Sequence, residues 1–275
     1  MRRFIIAGTG LLILLIGSGC SSVPLTEGTT LTSVGQLTPA KGKFTKTRTF
    51  VDAKSLTTAR TVAIMPTTFS FAASSRIKNL RDRSLVTNAL DRALCVALSD
   101  RYQIVPSGQP ADLTVRAVVA GVVPTNKAAA GVATAVSLGS SFALPVSLPR
   151  IPIGLGGLAV EAEAVDHTGT PRAAVLWSKG ANSFTTKPRV SEVGDAYSLA
   201  NSFGKYFARI LSTGKEPKGI DLSLPSSQSM RSAFGGKPKY AACEAFGRAP
   251  GLAGVLANQV GAPPEWTDKQ SQPQR

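Results

Sequence analysis

Histidine is almost missing from this 275-residue chain. His167 is the only one, and cysteine is limited to Cys20, Cys95 and Cys243. One histidine and a few scattered cysteines cannot supply the ligand spacing of a zinc site. Aromatics make up 6% of the residues and charged groups 17%. So low a charged fraction, with recurring apolar runs, excludes disorder throughout. Carboxylates are scarce, 16 against 31 lysines and arginines, for a formal charge of +15. No stretch of about 20 strongly apolar residues recurs, which excludes a multi-span membrane protein. What is present is a 43% hydrophobic composition, enough to bury a core in one large domain or two small ones.

The amino terminus reads as a secretory leader over residues 1–19. Arg2 and Arg3 form a positive start, and Phe4 to Ile16 an apolar region of 13 residues. That region is too short to span a bilayer comfortably, so a transmembrane anchor is the weaker alternative. Gly17, Ser18 and Gly19 are small and lead to Cys20.

This arrangement resembles a bacterial lipobox, although Gly17 stands where Leu is usual. The resemblance implies a cut before Cys20, a diacylglycerol on its thiol and an acyl chain on its new amine. One myristoyl chain binds membranes only marginally, at about 0.8 kcal/mol per buried methylene, whereas two or three chains hold almost permanently. Ser21, rather than Asp, follows the cysteine. By resemblance to Gram-negative lipoproteins this implies release to the outer membrane, facing the periplasm. In that oxidising compartment Cys95 and Cys243 form an even leftover pair. They are either bridged or two unpaired thiols, one of them buried in a helix.

Basic residues gather at Lys41, Lys43, Lys46, Arg48 and Lys54, and again at Arg76, Lys78, Arg81 and Arg83. Basic proteins often bind nucleic acid, but an exported chain meets little of it, so no nucleic acid partner is expected. Anionic head groups and peptidoglycan carboxylates are nearer counterparts. A solvated basic surface without a specific ligand is the plainer reading.

Residues 20–46 are rich in Thr, Ser, Gly and Lys and read as a lipidated tether, with a reach of roughly 30 Å if flexible; the alternative is that part of the segment packs on the domain. Residues 47–214 read as one α+β domain, with a mixed or mostly antiparallel sheet and two main helices on one face. Thr61 to Met65 is a buried strand stopped by Pro66. Leu85 to Arg101 is a helix with Val86, Ala89, Leu90, Ala93 and Leu94 on one side, capped by Asp82 or Ser84. Tyr102 to Val105 and Leu113 to Val119 are further strands, the second alternating in polarity. A hairpin follows. Leu158, Val160, Ala162 and Ala164 share one face of its first strand, and Glu161 and Glu163 share the solvent face. Asp166 to Thr170 supply turn chemistry, and Arg172 to Ser178 return. A second helix covers Ser191 to Ser212 and stops at Gly214. Residues 215–275 hold many Pro, Gly, Ser and Gln. They read as a partly disordered extension with short helices near Tyr240 to Phe246 and Leu252 to Gln259.

The order of these elements carries a second resemblance. It runs from the lipobox through Leu31-Thr-Ser-Val-Gly-Gln-Leu37, the strand at Thr61, Ala111-Asp-Leu-Thr-Val-Arg-Ala117 and the Glu161/Glu163 hairpin to Gly194-Asp-Ala-Tyr197. Over residues 30–213 this is similar to a family of bacterial lipoproteins known only as a domain of unknown function. The resemblance implies an envelope lipoprotein and carries over no catalytic residue or cofactor.

Chemistry is thinly signalled. His167 falls in a turn, with no nucleophile-elbow pattern beside it. Gly154-Leu-Gly-Gly157 precedes a strand and lacks Lys-Ser/Thr, so it is no phosphate loop. Glu161 and Glu163 lie about 6.6 Å apart by strand rise, a spacing that suits paired carboxylates in a glycosidase. Solvent exposure on an amphipathic strand is the ordinary alternative. Residues 128–149 carry no charge. They either meet lipid or another subunit or pack on the domain as a helix and loop. The expected function is therefore binding without catalysis: a lipid-anchored envelope protein that engages a partner protein or peptidoglycan. The alternatives are an envelope hydrolase and an oligomeric export or pore accessory.

Overall fold

The computed structural model describes residues 23–28, 30–143, 150, 152–218 and 224–268. The expected leader and Cys20 lie outside the described residues, as does the stretch 144–149 of the uncharged segment. Seven strands form one mixed sheet: β1 (Thr45–Val51), β2 (Thr61–Ile64), β3 (Thr68–Phe69), β4 (Gln103–Val105), β5 (Leu113–Val123), β6 (Gly157–Asp166) and β7 (Pro171–Gly180). Their order is β1-β7-β6-β5-β2-β4, with β3 paired beside β5. Neighbours from β1 to β5 run antiparallel, and the pairings of β2 with β4 and β5, and of β3 with β5, are parallel. This is the α+β class the element order implies.

One face is covered by two long helices, α3 (Leu80–Leu98) and α5 (Gly194–Thr213). The short α1 (Ala53–Thr58) and α2 (Phe71–Arg76) precede them. Leu90, Leu94, Phe203 and Phe207 from the helices meet Val115, Val160, Val175 and Trp177 from the sheet in one cluster. Trp177 and Phe203 pack edge to face with centroids 5.6 Å apart, a favoured aromatic geometry. Gly204 sets how closely the helices approach: a Cβ there would come within 2.6 Å of the Ala93 side chain. The first helix starts at Leu80, five residues before the expected Leu85, and its cap is Asn79, whose side chain accepts from the Arg81 amide. Leu80 and Arg81 are exposed, so the first turn shows no apolar periodicity, and Asp82 is buried inside the helix instead of capping it.

The opposite face corrects the expectation of a tether. From Val23 onward, the described N-terminal residues pack on the sheet. Leu31 and Leu37 bury against Ala174 and Leu176, flanked by Leu25, Val34 and Phe50. Thr38 N–H donates to the Thr49 carbonyl at 2.9 Å, and Lys41 and Thr47 exchange a pair of backbone bonds. The few large apolar residues are spaced to reach one sheet face, a tertiary fit that the Thr/Ser/Gly-rich composition conceals. Within the uncharged segment, α4 (Lys127–Ala143) is a helix with Ala130 and Ala133 buried and Val132 exposed. Among the described residues no helix is long and apolar enough to cross a membrane.

The C-terminal extension carries short helices where they are expected, near Tyr240 to Phe246 and Leu252 to Gln259, and is more ordered over its described residues than a loose tail. Residues 224–268 form α6 (Ser227–Ala233), a 3-10 turn at Ala241–Phe246, α7 (Gly251–Gln259) and a last 3-10 turn at Pro264–Trp266. They pack back on α3.

Candidate functional site

Glu161 and Glu163 stand side by side on β6, on the face away from α3 and α5. They are 1% and 2% exposed, so the expected solvent face is covered. The N-terminal segment covers it. Glu161 accepts from the Gly28 amide at 2.6 Å and the Thr30 amide at 3.0 Å, and also from the Thr30 hydroxyl. Glu163 accepts from the amide and hydroxyl of Thr32 at 3.1 and 3.0 Å, and from those of Ser33 at 3.1 and 2.8 Å. Two carboxylates thus act as a template for a backbone with no strand partner of its own. Buried carboxylates are tolerated when so many donors face them. The Thr-rich composition supplies the hydroxyls. A hydrolase built on this pair would first have to peel residues 28–33 away.

A second constellation gathers under the C-terminal extension. Cys95 of α3 and Cys243 of the 3-10 turn are joined in a disulfide, with Cα atoms 5.8 Å apart. Arg92, one helical turn earlier, donates to the Phe246 carbonyl at 3.2 Å and to both carboxylate oxygens of Asp268. The Tyr197 hydroxyl donates to Asp268 at 2.5 Å, and the Arg189 guanidinium lies over the Tyr197 ring at 5.3 Å. Burial, with Asp268 alongside, pushes the Tyr197 phenol well above its ordinary range; burial draws Arg189 down. These contacts strap the extension across α3 and α5 without sealing it.

An open groove of about 480 Å³ remains between the two helices and α6. Arg92, Tyr197, Asn201, Lys205, Met230 and Phe234 are among its lining residues. Met230 and Phe234 are 52% and 63% exposed. A neighbouring recess of about 430 Å³ shares Lys205 and adds Arg101 and Arg209. Apolar side chains beside cations suit a ligand with an acidic group on an apolar body. Sequence reading missed this site. Its one local signal was Asp91-Arg92, a charged pair set among the apolar positions of a helix. Asp91 is buried, and its carboxyl is pushed up to about 7 by burial, against the opposing bonds from Thr67.

The other signalled residues do not converge. His167 sits exposed in the β6–β7 turn, where Thr168, Thr170 and Arg172 bind Asp166 instead. Gly154 to Gly157 lead into β6, and the Gly156 amide donates to Asp195 at 2.7 Å. Asp195 is paired with buried Arg150. Cys20, the expected lipid attachment, lies outside the described residues.

The fold and site define a small α+β domain with a clasped N-terminal segment and a stapled C-terminal strap. A family model described as a protein of unknown function, DUF3313, matches residues 27–207. The chain belongs to that family. The match takes in the residues clasped by Glu161 and Glu163, all of α3 and the first two thirds of α5, and ends before the strap. Comparison with curated proteins finds no match. Among solved structures, the PelC dodecamer from Paraburkholderia phytofirmans is similar at 11% identity and a TM-score of 0.35, covering 63% of this chain and 99% of that one. A variant of that dodecamer gives 12% identity and a TM-score of 0.32 over the same shares.

Proposed function

We propose that this protein is a lipid-anchored component of the bacterial cell envelope. In this reading it is held by acyl chains on Cys20 at the outer membrane and faces the periplasm. It acts by binding, to a partner protein or to peptidoglycan, and performs no bond chemistry of its own. The observation that carries the reading is the open groove beside a strap that Cys95 and Cys243 staple to α3. Disulfides persist in oxidising compartments, which agrees with the leader read from residues 1–19. The groove offers Met230 and Phe234 to a ligand, residue types enriched at recognition surfaces, with Lys205 beside them. Anchoring raises the effective concentration of any partner in the same envelope layer, so modest intrinsic affinity suffices.

The test is in-cell crosslinking with affinity purification, comparing the wild-type chain with Cys20→Ala and Phe234→Asp. Wild type recovers a specific partner or muropeptides, Phe234→Asp loses them, and Cys20→Ala washes off membranes in salt. Retention of Cys20→Ala after the salt wash would refute the anchor. Cleavage of muropeptides by the purified protein would replace binding with catalysis.

A further inference from the structure

Val23 is pinned where β6 starts and β7 ends: its carbonyl accepts from the Ser178 hydroxyl at 3.1 Å and from Lys46 Nζ at 3.4 Å. Its side chain fills the space over Gly157, where an added Cβ would lie 2.1 Å away. Only Ser21 and Ser22 lie between Cys20 and Val23, a span of at most roughly 11 Å. Acyl chains on Cys20 would therefore hold this end of the sheet flush against the lipid instead of letting the domain stand off.

The same end is built to meet lipid. It comprises the start of β1, the exit of β5 into α4, the entry to β6, the exit of β7, and α2. Phe44, Phe71, Ile153 and Phe184, which flank these elements, are 69%, 93%, 65% and 84% exposed. They come from four separate stretches of chain that only the fold unites. Lys43, Arg76 and Lys127 are exposed on the same elements, and Arg76 lines a cavity of about 330 Å³ with Val23 and Pro24. Among the described residues the acidic groups on the segments that reach this end are exposed Glu27, ion-paired with Arg48 at 2.8 Å, buried Asp195, paired with Arg150, and half-buried Glu192 and Glu265, and Glu265 accepts from the Ser191 hydroxyl at 2.5 Å. Exposed Asp100, Asp112 and His167 lie at the opposite end, where β2, β4 and β5 begin and β6 turns into β7. Exposed aromatics ringed by cations match an interface with anionic head groups.

We propose that this end of the domain, marked by Val23, Phe44, Phe71, Ile153 and Phe184, docks directly on an anionic phospholipid bilayer. The proposal rests on the Cys20 anchor put forward above and adds the orientation: the strapped groove on the α3/α5 side stands beside the membrane, and the His167 turn points away from it.

Tryptophan quenching decides it. The full chain, purified from a bacterial host, is reconstituted into phosphatidylethanolamine/phosphatidylglycerol vesicles with brominated acyl chains. Phe184→Trp is compared with His167→Trp, after subtraction of the wild-type signal from Trp177 and Trp266. Quenching at least threefold stronger for Phe184→Trp is expected. Equal quenching, or none in either chain, overturns the proposal. Ile153→Trp reports the same surface from another loop, so a folding defect in one variant leaves the question decidable. On phosphatidylcholine vesicles the ratio falls at least twofold, and an undiminished ratio overturns the anionic part. Mass spectra of the same samples report the Cys20 adduct separately. An acylated chain with even quenching keeps the anchor and loses the surface; an unmodified chain with strong Phe184→Trp quenching does the reverse.

Discussion

The two faces of the sheet are closed by different physics. Under α3 and α5 the seal is apolar, with Trp177, Phe203, Phe207, Leu90 and Leu94 interdigitating. Such contacts are individually weak, non-directional and strong in sum. Over the other face a thin chain is held by Glu161 and Glu163, which accept from Gly28, Thr30, Thr32 and Ser33, with a small Leu31–Leu37 cluster beside them. Directional bonds to a pair of carboxylates fix register, while apolar packing fixes volume. The first face should therefore govern global stability, and the second the order of one segment.

The largest expected effect tests the apolar seal. Trp177→Ala leaves a cavity beside Phe203 and costs about 3–5 kcal/mol, read as a shifted denaturant midpoint with loss of protection in both helices. A cost confined to residues 23–42 would reverse the assignment of the two faces. Next comes the staple. Cys243→Ser opens a loop that spans 148 residues of sequence and costs about 2–4 kcal/mol. The loss appears first as faster hydrogen exchange in residues 224–268, and a uniform rise across the sheet would show that the strap is not a separate unit. Glu163→Ala leaves the Thr32 and Ser33 donors without their acceptor and costs about 1–3 kcal/mol. Exchange should quicken in residues 28–33 while the helix face stays protected; equal quickening on both faces would sink the contrast.

A fourth test concerns a charge beneath the helix face. Asp91 is pushed from the ordinary 3.8 up to about 7 by burial, so the folded chain binds its proton more tightly than the unfolded chain does. Its contribution is then most favourable below pH about 4 and is lost as pH rises through about 7. Asp91→Asn should flatten the dependence of Tm on pH between 4 and 7. A slope unchanged by the substitution would place its origin elsewhere.

Five of the seven strands, β2 and β4 to β7, and the two long helices were legible because each carries its own local pattern; β1 and β3 were not read as strands. Leu158, Val160, Ala162 and Ala164 alternate along β6, and Phe203, Phe207 and Ile210 repeat along α5. Gly214 ends α5 in a left-handed conformation, as its position suggests. The Glu161/Glu163 alternation was equally visible, but its meaning was not. The same pattern serves a solvated face and a face that captures another segment, and the partners lie about 130 residues away. The groove was hidden for a similar reason: Arg92, Tyr197, Lys205 and Phe234 come from three stretches with no common period.

The order of the elements, the α+β class, the basic balance and the lipobox-like start were written in the sequence alone, because each depends on neighbours a few residues apart. Tertiary structure alone decided that residues 23–42 form part of the domain, that the last described residues are strapped to α3, and that exposed apolar side chains from four stretches share one end. Those outcomes depend on which distant groups satisfy one another's hydrogen bonds and volume, and no local pattern records that pairing.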